Sequence, residues 1–211
     1  MSLRQLLVIF IPALLIVGIG LFIQILRYQP LFPKDGEQTE QVAFAIPILP
    51  DDIIYGNPNA SHTVVAFEDF SCPACAEQNT ALEKVLEQKP NALRIVWKGL
   101  PVSTFPHPSE TAQRYGFCAH QQGKFREFKA AAFVNKDNLS VATLNTLTAT
   151  LGLKEKSLTD CVNSPAAQLH VERVKQLAAT VGIQNVPTFF VNNRQVQPAP
   201  TPEAWITLLQ L

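Results

Sequence analysis

Two of the four cysteines, Cys72 and Cys75, stand three positions apart in Glu68-Asp-Phe-Ser-Cys-Pro-Ala-Cys-Ala-Glu-Gln78. Pro73 lies between them, and a proline suits the first position of a helix because its missing N–H would have no partner there. The spacing therefore predicts a helix that starts here, with Cys72 at the N-cap and Cys75 in the first turn. A sulfur at the N-cap faces unpaired backbone N–H groups and the positive end of the helix dipole. Both favour thiolate over thiol, which makes Cys72 a populated nucleophile and a good leaving group. Cys75, one turn inside, is placed to attack Cys72 in a mixed disulfide and resolve it.

Two other chemistries compete for the same spacing. A metal site would need two further ligands, but His62, His107, His120 and His170 are scattered and no second C-x-x-C or H-x-x-x-H follows. They read as ordinary surface or capping histidines, and no metal is expected. A structural staple across two intervening residues closes almost no loop and would restrict the unfolded chain little. A redox dithiol remains, and the two sulfurs carry the electrons without any added cofactor.

The elements that must hold this pair are legible around it. Thr63–Asp69 is a short apolar run with branched residues, read as a buried strand that feeds the cysteine turn. Leu82, Val85 and Leu86 continue an amphipathic helix to about Gln88, and Ala92–Trp97 is a second strand, giving a βαβ unit with parallel strands. The following pattern is helical: Glu110–His120, Lys124–Phe133, a helix marked by Val141, Leu144, Leu147 and Leu151, and another marked by Val171, Val174, Leu177 and Val181. Gly152 and Gly182 close the last two. Pro187–Val191, an Asn192-Asn193 turn and Gln195–Gln197 read as a β-hairpin. Thr201 and Pro202 open a final helix as N-cap and first-position proline.

Upstream, Leu6–Leu26 is a continuous run without a charged side chain. As a helix it reaches roughly 31 Å, the thickness of the hydrocarbon core of a bilayer. A cleaved signal peptide would place a small-x-small site soon after the run, whereas Arg27-Tyr-Gln-Pro-Leu follows, so residues 1–27 are read as an uncleaved membrane anchor. Arg4 on one side and Arg27 and Lys34 on the other leave the positive-inside rule without a clear vote, and the short amino-terminal tail favours an external domain. Residues 28–53, with five prolines counting Pro58 just beyond and the polar run Lys34–Gln41, read as a linker. Within it Val42–Leu49 fits either an edge strand or a cover over the domain. The chain of 211 residues carries 17 basic and 17 acidic side chains, so no charge surplus points to nucleic acid.

Phe67-Glu-Asp-Phe-Ser-Cys-Pro-Ala-Cys75, Gly123-Lys-Phe125 and Val186-Pro-Thr-Phe-Phe-Val191, the last far downstream of the cysteines, together resemble the DsbA-like thiol–disulfide oxidoreductases. The resemblance covers about residues 54–211. It implies an α/β thioredoxin-like fold, βαβ…ββα, with an inserted helical subdomain over about 103–165, behind the amino-terminal transmembrane helix. It also implies that Pro187 is cis and that its loop packs against Cys72. Backbone around Val186 would then pair with an extended substrate by strand addition, with Thr188, Pro73 and Ala74 beside it. Relatives often carry a buried acid six positions before the first cysteine. Here that position is Ala66, and the sequence leaves the role open between Glu68 and Asp69, which alternate to different faces. Lys98, after the second strand, reads as a solvated lysine near the site. The Pro-Ala dipeptide lacks the histidine of the most oxidising relatives.

Assigning Cys72 to Cys75 leaves one pairing for Cys118 and Cys161, a structural disulfide closing about 43 residues, against two buried free thiols. An anchor with four cysteines favours the disulfide and an oxidising compartment. The resulting expectation is a membrane-anchored oxidase, single-pass in the cytoplasmic membrane with its catalytic domain in the periplasm or outside the cell. It would donate the Cys72–Cys75 disulfide to cysteine-containing client proteins and be reoxidised, as the resemblance implies, by a quinone-linked membrane partner. A reductase or isomerase on the same scaffold, and a non-catalytic tethered binding module, are the alternatives.

Overall fold

The computed structural model describes residues 3–28 and 45–211. The expected linker therefore lies largely outside the described residues, its polar run Lys34–Gln41 entirely so. The chain divides into two compact units, Met1–Val42 and Ala43–Leu211. In the first, α1 runs over Leu3–Tyr28 with Pro12 inside it. Its described side chains from Phe10 to Ile25 are exposed. Among the described residues no helix is long and apolar enough to cross a membrane, so the anchor expected over residues 1–27 rests on the sequence.

The second unit is built on β1 (Ile53–Gly56), β2 (His62–Glu68), β3 (Leu93–Gly99), β4 (Thr188–Val191) and β5 (Arg194–Val196). Helix α2 (Pro73–Gln88) connects β2 to β3. Helices α3 (Ser109–Gln121), α4 (Phe125–Val134), α5 (Val141–Thr150), α6 (Glu155–Val162) and α7 (Pro165–Thr180) lie between β3 and β4, and α8 (Pro202–Leu209) ends the chain. The sheet order is β1-β3-β2-β4-β5. Only β2 and β3 are parallel, as a helical crossover between neighbours requires. The other three pairings are antiparallel.

The central strands are apolar on both faces because both are covered. Val64 and Ala66 of β2, with Leu93 and Ile95 of β3, pack under Leu82, Val85 and Leu86 of α2 and Trp205 of α8. Val65, Phe67 and Val96 turn to the opposite face and meet Val174 and Ala178 of α7. Two-sided burial replaces the usual alternation with a continuous apolar run. Helices α3 to α6 close over the end of the sheet where the cysteines lie. Phe70 stacks on Trp97 with ring centroids 5.0 Å apart and meets Phe128 and Phe133, each at 5.6 Å. Burying each such ring contributes roughly 1.5–3 kcal/mol.

Two elements differ from the sequence reading. The strand at Ile53–Gly56 is an edge strand outside the expected βαβ unit, and α6 is an additional short helix. The segment Ala45–Leu49 forms no strand; it covers the domain by burying Ile46 against the α7 face.

Candidate active site

The helix that opens at Cys72 is set by its own sequence. Pro73 occupies the first position of α2, and Cys72 is the N-cap in extended conformation, φ −90° and ψ 118°. Its sulfur accepts the N–H of Cys75 at 3.1 Å, as a capping side chain does. Cys72 and Cys75 are disulfide-bonded, with Cα atoms 5.2 Å apart. The two sulfurs differ in access: Cys72 retains 9% exposure and Cys75 has none. Pro73 and Ala74 are exposed on the outer side of the turn.

The β4 approach supplies the second half of the site. The Val186–Pro187 peptide is cis, and the carbonyl oxygen of Val186 stands 3.8 Å from Cys72 Sγ. Thr188 begins β4 opposite Phe67 of β2, and its hydroxyl donates to the Asn185 carbonyl at 2.7 Å. Val186, Pro187 and Thr188 are half-buried. The structure thus brings Cys72, Cys75, Val186, Pro187 and Thr188 to one end of the sheet. Cys118 and Cys161 are bonded to each other within the helical block, joining α3 to α6.

The two acids left open by the sequence are separated by their surroundings. Asp69 is fully buried, and its carboxylate is occupied by donors from Ser71, Val102, Ser103 and Ser109. Glu68 lies on the strand face of Val64 and Ala66, the face that α2 covers. It is buried and its Oε1 has no hydrogen-bond partner. Burial pushes its carboxyl up to about 8; Lys129 opposes this and Glu83 adds to it. At neutral pH Glu68 is therefore mostly a carboxylic acid, able to give up a proton beneath α2.

Glu68 belongs to a buried group that the sequence reading did not find. Lys129 of α4 is fully buried, donates to the Tyr55 hydroxyl, lies 3.0 Å from Glu83 and sits 4.2 Å from the centroid of the Tyr55 ring. Burial pulls its ammonium below the usual lysine range, with Glu83 and Glu68 opposing. Desolvation, with Glu68 and Glu83 nearby, holds the Tyr55 phenol well above its ordinary value. The signal was present in the pattern: Lys129 stands among Phe125, Phe128, Ala132 and Phe133 on the apolar stripe of its helix, where a solvated lysine would not lie.

Lys98 is corrected by the structure. It is fully buried rather than solvated, and its ammonium donates to both carboxylate oxygens of Asp52, at 2.7 and 2.6 Å, and to the Pro47 carbonyl at 3.0 Å. It alternates with Trp97 to the α7 face, opposite to Glu68. His170 is likewise no surface histidine: its ring is buried, stacks on Phe117 at 4.5 Å, and places Nδ1 3.6 Å from Asp51. Gln113 closes the ends of β2 and β3, donating to the Glu68 carbonyl and accepting from the Trp97 indole, each at 3.4 Å. A Cβ at Gly99 would overlap both the Gln113 amide and the Trp97 indole nitrogen, so the bridge in this position takes glycine beside it.

The family profile described as Thioredoxin matches residues 49–210. A Na(+)/H(+) antiporter NhaA 1 of Mycobacterium sp. (strain KMS) is 29% identical over 153 residues, which cover 71% of this chain and 25% of that protein. The chain thus spans about a quarter of the length of the curated relatives it matches. A periplasmic thioredoxin-like protein from Salmonella enterica serovar Typhimurium superposes with a TM-score of 0.68 at 19% identity, over 82% of this chain and 97% of that one. The thiol-disulfide exchange protein alpha-DsbA2 from Wolbachia pipientis gives 0.67 at 16% identity, over 75% and 86%. The helical block between β3 and β4, the capped Cys-Pro-Ala-Cys turn and the facing cis-proline all lie within the matched residues, and the chain belongs to the thioredoxin family.

Proposed function

We propose that this protein is a membrane-anchored disulfide oxidase that passes the Cys72–Cys75 disulfide to cysteine-containing proteins outside the cytoplasm. One observation carries the reading: Cys72 caps α2 with its sulfur on a backbone N–H while Cys75 is sealed beneath it. A cap that favours the Cys72 thiolate stabilises the reduced pair, and a stabilised reduced form makes the disulfide an oxidant.

A client thiolate attacks Cys72 Sγ; the Cys72–Cys75 bond breaks and its electron pair leaves on Cys75. The client's second thiolate then attacks the client sulfur of the mixed disulfide and expels Cys72 as thiolate. The client loses two electrons and gains a disulfide, and the pair holds two reduced sulfurs. Cys75 has no exposure, so its thiolate needs a proton from within, and the neutral carboxyl of Glu68 under α2 is a source. Val186, Pro187 and Thr188, with Pro73 and Ala74, receive the client's extended backbone beside Cys72. A quinone-linked membrane partner takes the electrons back from the pair.

The anchor is residues 1–27, followed by a linker over 28–53 and the catalytic domain over 54–211 with its helical insertion at about 103–165. Supporting the anchor, the sequence carries no charged side chain over Leu6–Leu26, and as a helix that run would reach roughly 31 Å, the thickness of a bilayer's hydrocarbon core. A neighbour described as periplasmic supports a catalytic domain in the periplasm or at the cell exterior. The test is the reduction potential of Cys72–Cys75 measured against glutathione. An oxidase should lie above about −180 mV, and a value near about −270 mV would identify a reductase instead.

A further inference from the structure

The extended N-cap conformation of Cys72 has two supports. One is the disulfide, which ties Cys72 to Cys75 in the first turn of α2. That support is lost whenever the pair is reduced or Cys72 carries a client in a mixed disulfide. The other is Asp69, and it involves no sulfur. Its carbonyl oxygen accepts the Cys72 N–H at 3.1 Å, and its Oδ1 accepts the Ser71 N–H at 2.9 Å.

Asp69 can fasten these residues because it is fastened itself. Strands β2 and β3 run parallel and end level, with Glu68 opposite Gly99, so the segments leaving them emerge at the same end of the sheet. From the β3 side, Asp69 Oδ2 accepts the Val102 and Ser103 N–H groups, each at 2.8 Å, and the Ser109 hydroxyl at 2.7 Å. Ser109 begins α3, is fully buried, and donates its own N–H to the Ser103 carbonyl at 3.0 Å. Asp69 is likewise without exposure. Its carboxylate thus anchors the approach to Cys72 on donors from outside the redox turn.

We propose that Asp69 is a positioning residue that keeps Cys72 at the head of α2 once the Cys72–Cys75 bond has opened. The proposal deepens the reading of the pair as an oxidant and rests on it: the reduced form is stabilised only while the Cys72 sulfur faces the free N–H groups of the helix start. In the oxidised protein the disulfide and Asp69 hold the turn together, so loss of Asp69 is partly covered. In the reduced protein Asp69 holds it alone. Removing Asp69 therefore costs the reduced form more than the oxidised form and makes the disulfide a weaker oxidant. The charge of the carboxylate acts in the opposite direction, since a negative group near Cys72 disfavours its thiolate. The four donors that face the carboxylate offset that charge, which leaves positioning as the larger effect.

The test is the equilibrium of the Cys72–Cys75 pair with glutathione in wild type, Asp69→Asn and Ser109→Ala, with urea denaturation of each in oxidised and reduced form. Asparagine keeps the shape, but one of its two ends is an N–H donor, so it cannot accept at both positions. Asp69→Asn should shift the equilibrium about tenfold toward the disulfide, or about 30 mV, roughly the worth of one hydrogen bond to a charged group. Ser109→Ala removes a single donor, on a helix outside the redox turn, and should shift it the same way by about threefold. Both variants should lose more stability reduced than oxidised. Equal losses in the two forms with an unmoved equilibrium would make Asp69 a structural residue only and overturn the proposal. A shift toward the dithiol would show that the charge outweighs the positioning and overturn it too. If Asp69→Asn does not fold, the sign of the Ser109→Ala shift decides. The shift relative to wild type judges this proposal, whereas the wild-type potential judges the oxidase reading, so the two fail separately.

Discussion

Replacing Glu68 with glutamine should make the protein more stable, and only above mildly acidic pH. The carboxyl has an ordinary value of 4.5 in the unfolded chain and is raised to about 8 in the fold, chiefly by burial. Because the folded value is the higher one, the folded protein keeps a proton that the unfolded chain releases. The contribution of Glu68 is thus fully present below about pH 4.5, declines as pH rises, and is lost by about pH 8. At pH 7 the unfolded chain has passed its own value by about 2.5 units, each worth about 1.36 kcal/mol, so Glu68 costs about 3 kcal/mol there. Glutamine has nearly the same shape and never ionises. Urea denaturation of oxidised wild type and Glu68→Gln should therefore agree near pH 4 and diverge by about 3 kcal/mol at pH 7, the variant being the more stable. A pH-independent difference, or a less stable variant at pH 7, would refute the neutral buried acid and its use as a proton source for Cys75.

Converting both Cys118 and Cys161 to serine removes a link between positions 43 apart and should lower stability by about 3–4 kcal/mol while dithiol oxidation by the folded protein persists. Loss of activity in a still-folded variant would put that pair in the electron path. Asp52→Asn strands the Lys98 ammonium in the interior and should cost about 3–5 kcal/mol in chemical denaturation. Adding Lys98→Met to it should restore most of that loss, and an unrecovered double variant would mean the site is held by more than the pair.

What the sequence disclosed follows the strength of the local signals. Pro73 and Pro202 mark helix starts because a proline at the first position leaves a visible break, and both helices begin there. Asn192 and Asn193 both adopt positive φ, as their place in the hairpin required. Helix α6 escaped because its short span buries only Leu158 and Val162 and Lys154 offers no capping side chain. Strand β1 escaped because only Ile53 among its residues is buried. The cysteine turn was legible since its chemistry is local. Of the Glu68–Lys129–Glu83 group only Lys129 left a trace, on the apolar stripe of α4. The Asp52–Lys98 pair was not legible, because it joins elements distant in sequence and a charged residue considered alone reads as solvated. Asp69 is the same case, its role being set by donors from Val102, Ser103 and Ser109, on the far side of the βαβ unit.

The central claim is that the two cysteines differ, Cys72 meeting the client and Cys75 closing the cycle from inside. It is tested most directly by trapping. Offered disulfide-bonded clients, the Cys72 thiolate of Cys75→Ser attacks a client disulfide and expels one client sulfur. With no Cys75 to displace the client in turn, mixed disulfides should accumulate through Cys72, and that lone Cys72 should react with iodoacetamide at mildly acidic pH, where an ordinary thiol is protonated. Cys72→Ser should trap almost nothing and alkylate only at higher pH. If Cys72→Ser were instead the trapping variant and Cys75 the thiol alkylated at low pH, the assignment from the helix start would be contradicted.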